Sequence, residues 1–112
     1  MADKKIYWLG SSKKDLSDFP KEAKRKAGFQ LRALQRGEQP TDFKPMPTVG
    51  KGVEEIRIWT GDAYCIFYVA RSSEAVYVLH AFQKKAQQTA RQDIELGQQR
   101  YQSMIQIRQS QN

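Results

Sequence analysis

A chain of 112 residues is long enough for one domain with a modest core and too short for two. At 39% hydrophobic and 28% charged residues, the composition is that of a globular protein, not a disordered one. A net charge of +7 and a pI near 9.7 favour nucleic acid or a nucleoprotein particle as partner, with general solubility or an acidic protein as the plainer readings.

No apolar run approaches the length of a membrane span, and "MADKKIYWLG" lacks the apolar stretch of a signal peptide. A cytoplasmic protein with no membrane contact is expected. The single cysteine, Cys65, excludes an intrachain disulfide and a cysteine-rich zinc site. The single histidine, His80, excludes a two-histidine acid/base pair. Catalysis would therefore draw on Lys, Arg, Glu, Asp and Tyr with that one imidazole. No cofactor and no metal ion are expected.

In chain order, residues 4–9 are β-branched and aromatic enough for a first strand. In "SSKKDLSDF", Ser11 or Ser12 can cap a short helical turn. A firmer helix start is Asp18 ahead of Phe19 and Pro20, because a proline in the first turn needs no hydrogen-bonded N–H. Phe19, Ala23, Ala27, Leu31 and Leu34 recur at spacings of four and three, one face of a helix. Lys21, Lys24, Arg25 and Lys26 fall on or beside the opposite face, and Gly37 is the expected stop. Residues 38–52, "EQPTDFKPMPTVGKG", read as a loop. Within it, Gly50-Lys51-Gly52 is too short for a phosphate-binding P-loop and reads as a flexible basic tip beside Lys44.

Three strands follow. "VEEIRIW" (53–59) alternates, with Ile56 and Ile58 on one face and Glu55, Arg57 and Trp59 on the other. Thr60-Gly61-Asp62 is turn chemistry. "AYCIFYVA" (63–70) is apolar nearly throughout, as a central strand covered on both sides should be. "RSSE" (71–74) is a second tight connection to "AVYVLHAF" (75–82). Short links imply an antiparallel meander. "TARQ" has the form of a capping box, Thr89 as N-cap and Gln92 reaching back. Ile94, Gly97, Tyr101, Met104, Ile105 and Arg108 trace the stripe of a last helix whose end, "IRQSQN", is expected to fray. The expectation is a single α+β domain over residues 1–112: a small antiparallel sheet of about four strands, one or two N-terminal helices and one C-terminal helix.

Lys84 and Lys85 are the sharpest local signal. Adjacent side chains on extended backbone diverge, so the pair can hold different phosphates, or a phosphate and a base. The plainer reading is a solvated pair closing an apolar strand. The segment runs into a helix N-terminus, whose free N–H groups attract anions. Arg91 in that first turn is disfavoured by the helix dipole, so it points to an anionic partner, or to Asp93 or Glu95. Arg57 is either an ion-pair partner of Glu55 or a projecting phosphate ligand. His80 shares an alternating face with Val76, Val78 and Phe82, as a satisfied core histidine would, although its place near the strand end keeps a catalytic role open. Cys65, between Tyr64 and Ile66, reads as a small buried hydrophobe.

"IYWLGSSKKDLSDFP", Lys44-Pro45, "VEEIRI" and "AVYVLHAFQKKAQQTARQDIELGQQR" together resemble the phage-related branch of the RelE/HigB-type toxins of type II toxin–antitoxin pairs, in the RelE/ParE superfamily. The similarity runs over nearly the whole chain in order. It implies a small sheet with two N-terminal helices and one C-terminal helix. It also implies an mRNA endoribonuclease acting on the ribosome to inhibit translation, held in check by a helix-turn-helix antitoxin. Carried over by position, it points to Arg57, Lys84 and Lys85, and also to His80 and Arg91. The expected catalytic residues are then Arg57, His80, Lys84 and Lys85, and the expected RNA contacts Lys44, Lys51, Gln83 and Arg91. Two positions depart from the pattern. The family's usual Tyr-Arg is Tyr64-Cys65 here, and cysteine cannot replace that charge. The usual Thr-Pro at the helix start is Thr89-Ala90. The first departure keeps an alternative open, a weakened protein of this fold that binds RNA, ribosome or antitoxin without cleavage. A structural phage protein with an incidental basic surface is a third reading.

Overall fold

The computed structural model describes residues 3–110. In chain order the elements are β1 (Lys5–Trp8), α1 (Ser12–Ser17), α2 (Lys21–Gln35), β2 (Phe43–Pro45), β3 (Glu54–Trp59), β4 (Ala63–Val69), β5 (Ala75–Lys84) and α3 (Arg91–Ser110). The fold is α+β, as expected, with five strands in the order β1-β5-β4-β3-β2. β3, β4 and β5 form the antiparallel meander, while β1 joins β5 in parallel.

The two faces of the sheet build two cores. On one face Ile56, Ile58, Tyr64, Ile66, Tyr68, Val76 and Val78 pack under α1 and α2. On the other, Cys65, Phe67, Val69, Tyr77, Leu79 and Phe82 pack against Met104, with Ile94, Tyr101 and Ile105 at the edge of α3. Because β4 is covered on both sides, its sequence is continuously apolar rather than alternating. Among the described residues, no helix is long and apolar enough to cross a membrane.

The helical stripe of α2 is as the spacing predicts. Ala23 and Ala27 are fully buried, Leu31 and Leu34 nearly so, and Phe19 meets the Tyr64 ring at 4.8 Å. The start differs. Asp18 closes α1, its N–H bonding the Lys14 carbonyl at 3.1 Å, and Pro20 supplies the first carbonyl of α2, to Lys24 N at 2.9 Å. A residue before proline disfavours helical backbone, so Phe19 lies outside the helix and anchors its entry instead. The stop is at Gly37, with φ +80°, and bonds from Gly37 N to Leu34 O and from Glu38 N to Ala33 O close the paired C-terminal motif that a left-handed glycine allows.

The proline-rich loop holds an unexpected strand. β2 pairs Phe43, Lys44 and Pro45 with Ile56, Glu55 and Glu54 of β3. It is an edge strand, where a proline without an N–H costs no ladder bond. The basic tip at Lys51 is not free. Met46 N bonds Val53 O at 2.8 Å, Gln98 donates to the Thr48 carbonyl at 2.9 Å, and the Tyr101 hydroxyl donates to the Lys51 carbonyl at 2.9 Å. The segment is thereby ordered against α3.

β5 breaks simple alternation. Phe67 faces His80 but Tyr68 faces Val78, so Leu79 is an extra residue and the strand bulges. Val76 and Val78 therefore lie under α1 and α2, whereas His80 turns to the α3 face with Phe67 and Phe82. The shared face expected for His80, Val76 and Val78 is corrected by that one insertion. At the start of α3, Ala90 rather than Thr89 offers the first helical carbonyl, to Ile94 N at 3.1 Å. The apolar stripe of α3 is as expected and extends to Arg108, whose guanidinium lies 5.8 Å from the Tyr77 ring centre. The helix continues through Ser110, so residues 107–110 of the end expected to fray are helical, and Gln111 and Asn112 lie outside the described residues.

Candidate nucleic-acid groove

Three cross-strand rows on the α3 face organise the site. The first is Lys44–Glu55–Phe67–His80, running from β2 to β5. The second is Arg57–Cys65–Phe82, and the third is Trp59–Ala63–Lys84. Successive rows on one face are about 7 Å apart, two residues of strand rise. In the second and third rows β4 contributes only small side chains, Cys65 and Ala63, between long side chains on both neighbours. That difference in length opens a groove of about 890 Å³ at the end of the sheet. Asp42, Arg57, Trp59, Asp62, Lys84 and Lys85 line its rim, with Gln83 and the chain leaving β5 completing it. The volume is in the range of sites that hold small ligands.

Arg57, Gln83, Lys84 and Lys85, all expected at the site, thus line one groove. Lys84 and Lys85 enter no ion pair and no side-chain hydrogen bond among the described residues, which leaves both ammonium groups available. Arg57 does not pair with Glu55. Its Nε and Nη2 both donate to Asp42 Oδ1, at 3.2 and 2.9 Å. Both partners are about half exposed, so the pair is worth only about 0–1 kcal/mol and an incoming phosphate can displace it. The rim carries three cations and two carboxylates, Asp42 and Asp62, so its local excess of positive charge is small and the +7 of the whole chain matters to any polyanion approaching it.

Glu55 is fully buried beside this floor, and neither carboxylate oxygen has a hydrogen-bond partner among the described residues. Its cross-strand neighbours are Lys44 and Phe67. The Cys65 thiol is pushed up to about 12, first by burial and then by the negative charge of Glu55, with Lys84 pulling the other way. Cys65 therefore stays a protonated thiol at neutral pH and is a floor residue rather than a nucleophile.

Four of the expected site residues lie outside the groove. His80 is in the first row, buried, with its ring stacked 4.7 Å from that of Phe82, which stands between it and the cations. Its Nε2 and Asp93 Oδ1 are 2.8 Å apart, and Arg100 Nη1 approaches Nδ1 at 3.4 Å. Arg100 also donates to the Leu79 carbonyl and the Ser11 hydroxyl. The histidine is thus part of a polar tie between β5, α3 and the turn after β1. Lys44 is on the edge strand opposite Glu55. Lys51 is in the segment tied to α3. Arg91 is bonded to Glu95 at 2.9 Å, one of the two local partners open to it from sequence.

Trp59 was not among the residues singled out for the site. Its signal was present, since it alternates onto the Arg57 face and immediately precedes a turn, where a large ring has nothing to bury it.

No curated protein matches the chain. A model of the phage-derived protein Gp49-like family (DUF891) matches residues 14–102, a span that includes α2, the entire meander, the groove and the first half of α3. That family is linked to the toxins of toxin–antitoxin pairs in the RelE/ParE superfamily. With four-fifths of its length under that one match, the chain belongs to the phage-derived Gp49-like family.

Proposed function

We propose that the protein is the toxin of a type II toxin–antitoxin pair, an endoribonuclease that cuts mRNA on the ribosome in the cytoplasm and is neutralised by a helix-turn-helix antitoxin. The observation that carries this reading is the convergence of Arg57 from β3 with Lys84 and Lys85 from the end of β5 on one groove. In the reaction a ribose 2′-hydroxyl gives its proton to water and attacks the adjacent phosphate, negative charge builds on the non-bridging oxygens, and the P–O5′ bond breaks to leave a 2′,3′-cyclic phosphate and a 5′-oxygen that takes a proton from water. Cations gathered at one end of the sheet meet that charge, Arg57 by exchanging Asp42 for the phosphate, and each such group is worth about 3 kcal/mol, roughly two orders of magnitude in rate. The ribosome contributes by holding the mRNA in line. Replacing both Lys84 and Lys85 by alanine should abolish growth arrest and mRNA cleavage while circular dichroism and melting stay those of the native protein. A folded double variant of undiminished toxicity refutes the role given to the lysines.

Cys65 favours a second reading, a protein that binds RNA, ribosome or antitoxin without cutting. It occupies the centre of the groove floor, directly across from Arg57, and brings no charge. Cys65→Arg separates the two readings in a cleavage assay with mapped mRNA 5′ ends. Unchanged cutting marks a nuclease that manages without a cation there, and a gain of about a hundredfold marks the native chain as a binding protein.

A further inference from the structure

Trp59 is 69% exposed, the most exposed large hydrophobic side chain among the described residues. It contacts no other aromatic ring in the described structure, so it serves no core. Its backbone, in contrast, is firmly held. It pairs with Ala63 across the β3–β4 turn, and its carbonyl accepts a hydrogen bond from Lys26 Nζ at 3.0 Å. The indole is an exposed ring on a fixed mount, at the rim of the groove.

Its neighbours give the ring a use. Arg57 is two residues away on the same face, about 7 Å along the strand, and Lys84 is two strands across, about 10 Å, with only the Ala63 methyl between. A flat group lying on the indole at van der Waals distance fits over Ala63, and an anion attached to it reaches Arg57 on one side or Lys84 on the other. Planar rings joined by anions are the chemistry of single-stranded nucleic acid, which is bound by aromatic platforms set among cations. An apolar protein segment would use the ring but leave Lys84 and Lys85 of the rim without partners.

Resting on the RNA reading of the groove, we infer that Trp59 is a base-stacking platform, seating a base beside the phosphates that Arg57 and Lys84 hold. It is a substrate-positioning residue, and its effect falls on the base-dependent part of affinity. The decisive experiment compares a single-stranded oligoribonucleotide with an abasic ribose-phosphate oligomer of equal length, both bound to the full-length protein. The native chain should prefer the base-bearing strand. Trp59→Ala should weaken that strand about 5- to 150-fold and leave the abasic oligomer unchanged. Trp59→Phe should restore most of the loss. The exposed position makes misfolding of these variants a small risk, checked by an unchanged melting temperature.

Other outcomes separate the two layers of inference. If Trp59→Ala binds both oligomers like the native protein while Lys84→Ala/Lys85→Ala weakens both, the RNA reading stands and the stacking role is overturned. If Trp59→Ala spares RNA but loses binding to an antitoxin protein, the ring is a protein anchor and the inference is wrong. If the native chain binds neither oligomer, the RNA reading falls and takes the platform with it.

Discussion

His80 is held between Asp93 at 2.8 Å and Arg100 at 3.4 Å, in a buried position against Phe82. Its pKa is lowered from the ordinary 6.5, with burial the main cause and the bond to Asp93 opposing it. The sign of the consequence follows. Below about pH 6.5 the unfolded chain takes up a proton that the folded chain resists, so stability is complete above that pH and falls as pH drops towards the folded-state value. Since the chain has one histidine, an NMR titration of the imidazole is unambiguous. Asp93→Asn removes the two largest influences that raise the pKa, the hydrogen bond and the charge of Asp93, and leaves only that of Asp15, so His80 in that variant should titrate at lower pH than in the native chain. A higher value would show that the ring is not held as described. The sequence left His80 open between core and catalysis, because alternation cannot reveal a bulge. One inserted residue, Leu79, decided both its face and its neighbours. Arg57 was limited in a similar way. Glu55 is two residues away and was the visible partner, whereas Asp42 reaches Arg57 only because β2 pairs with β3.

At the scale of elements, α3 docks on the sheet through its smallest residue. A Cβ built on Gly97 would lie 2.9 Å from Phe67 Cδ2 and 3.0 Å from Val49 Cγ1. Both neighbours are buried, so neither can withdraw. Gly97→Ala gains up to about 1 kcal/mol of helix propensity but pushes the helix off its seat at a cost of about 1–3 kcal/mol. The expected result is a net loss of up to about 2 kcal/mol, read as a lower midpoint in urea. A more stable variant would mean that the helix floats on the sheet. The helix stripe on α2, the meander and the stripe on α3 were legible because each has a period that burial enforces. β2 was not, since a three-residue edge strand containing a proline is specified by its neighbour's free hydrogen bonds rather than by its own pattern. The start of α2 was misread for a local reason, as proline constrains the residue before it as well as its own φ.

Over the whole molecule, the +7 charge and the groove make different contributions to binding. The general charge draws in any polyanion, while the groove fixes how many phosphates are neutralised at contact. With Arg57, Lys84 and Lys85 as the contacts, log affinity for single-stranded RNA should fall against log salt with a slope of about −2, at roughly 0.7 per phosphate. Removing both lysines should flatten that slope by about 1.4. A steep slope unaffected by the double substitution would place binding on the broad basic surface instead. The composition announced the first contribution. The second was visible only in part, since the lysine pair stands out in sequence but the shallow floor beneath it depends on three strands being in register.

The parallel seam between β1 and β5 has a further consequence, for the order in which the chain can mature. Residues 5–8 find their strand partners in residues 75–78, and Ser12 of α1 likewise waits for the Val78 carbonyl. Everything needed for the three-stranded meander lies within one short later stretch and can zip up locally. The opening segment must idle through some seventy residues of synthesis before it has an edge to join, and the entropy of closing that long loop makes its docking a late step.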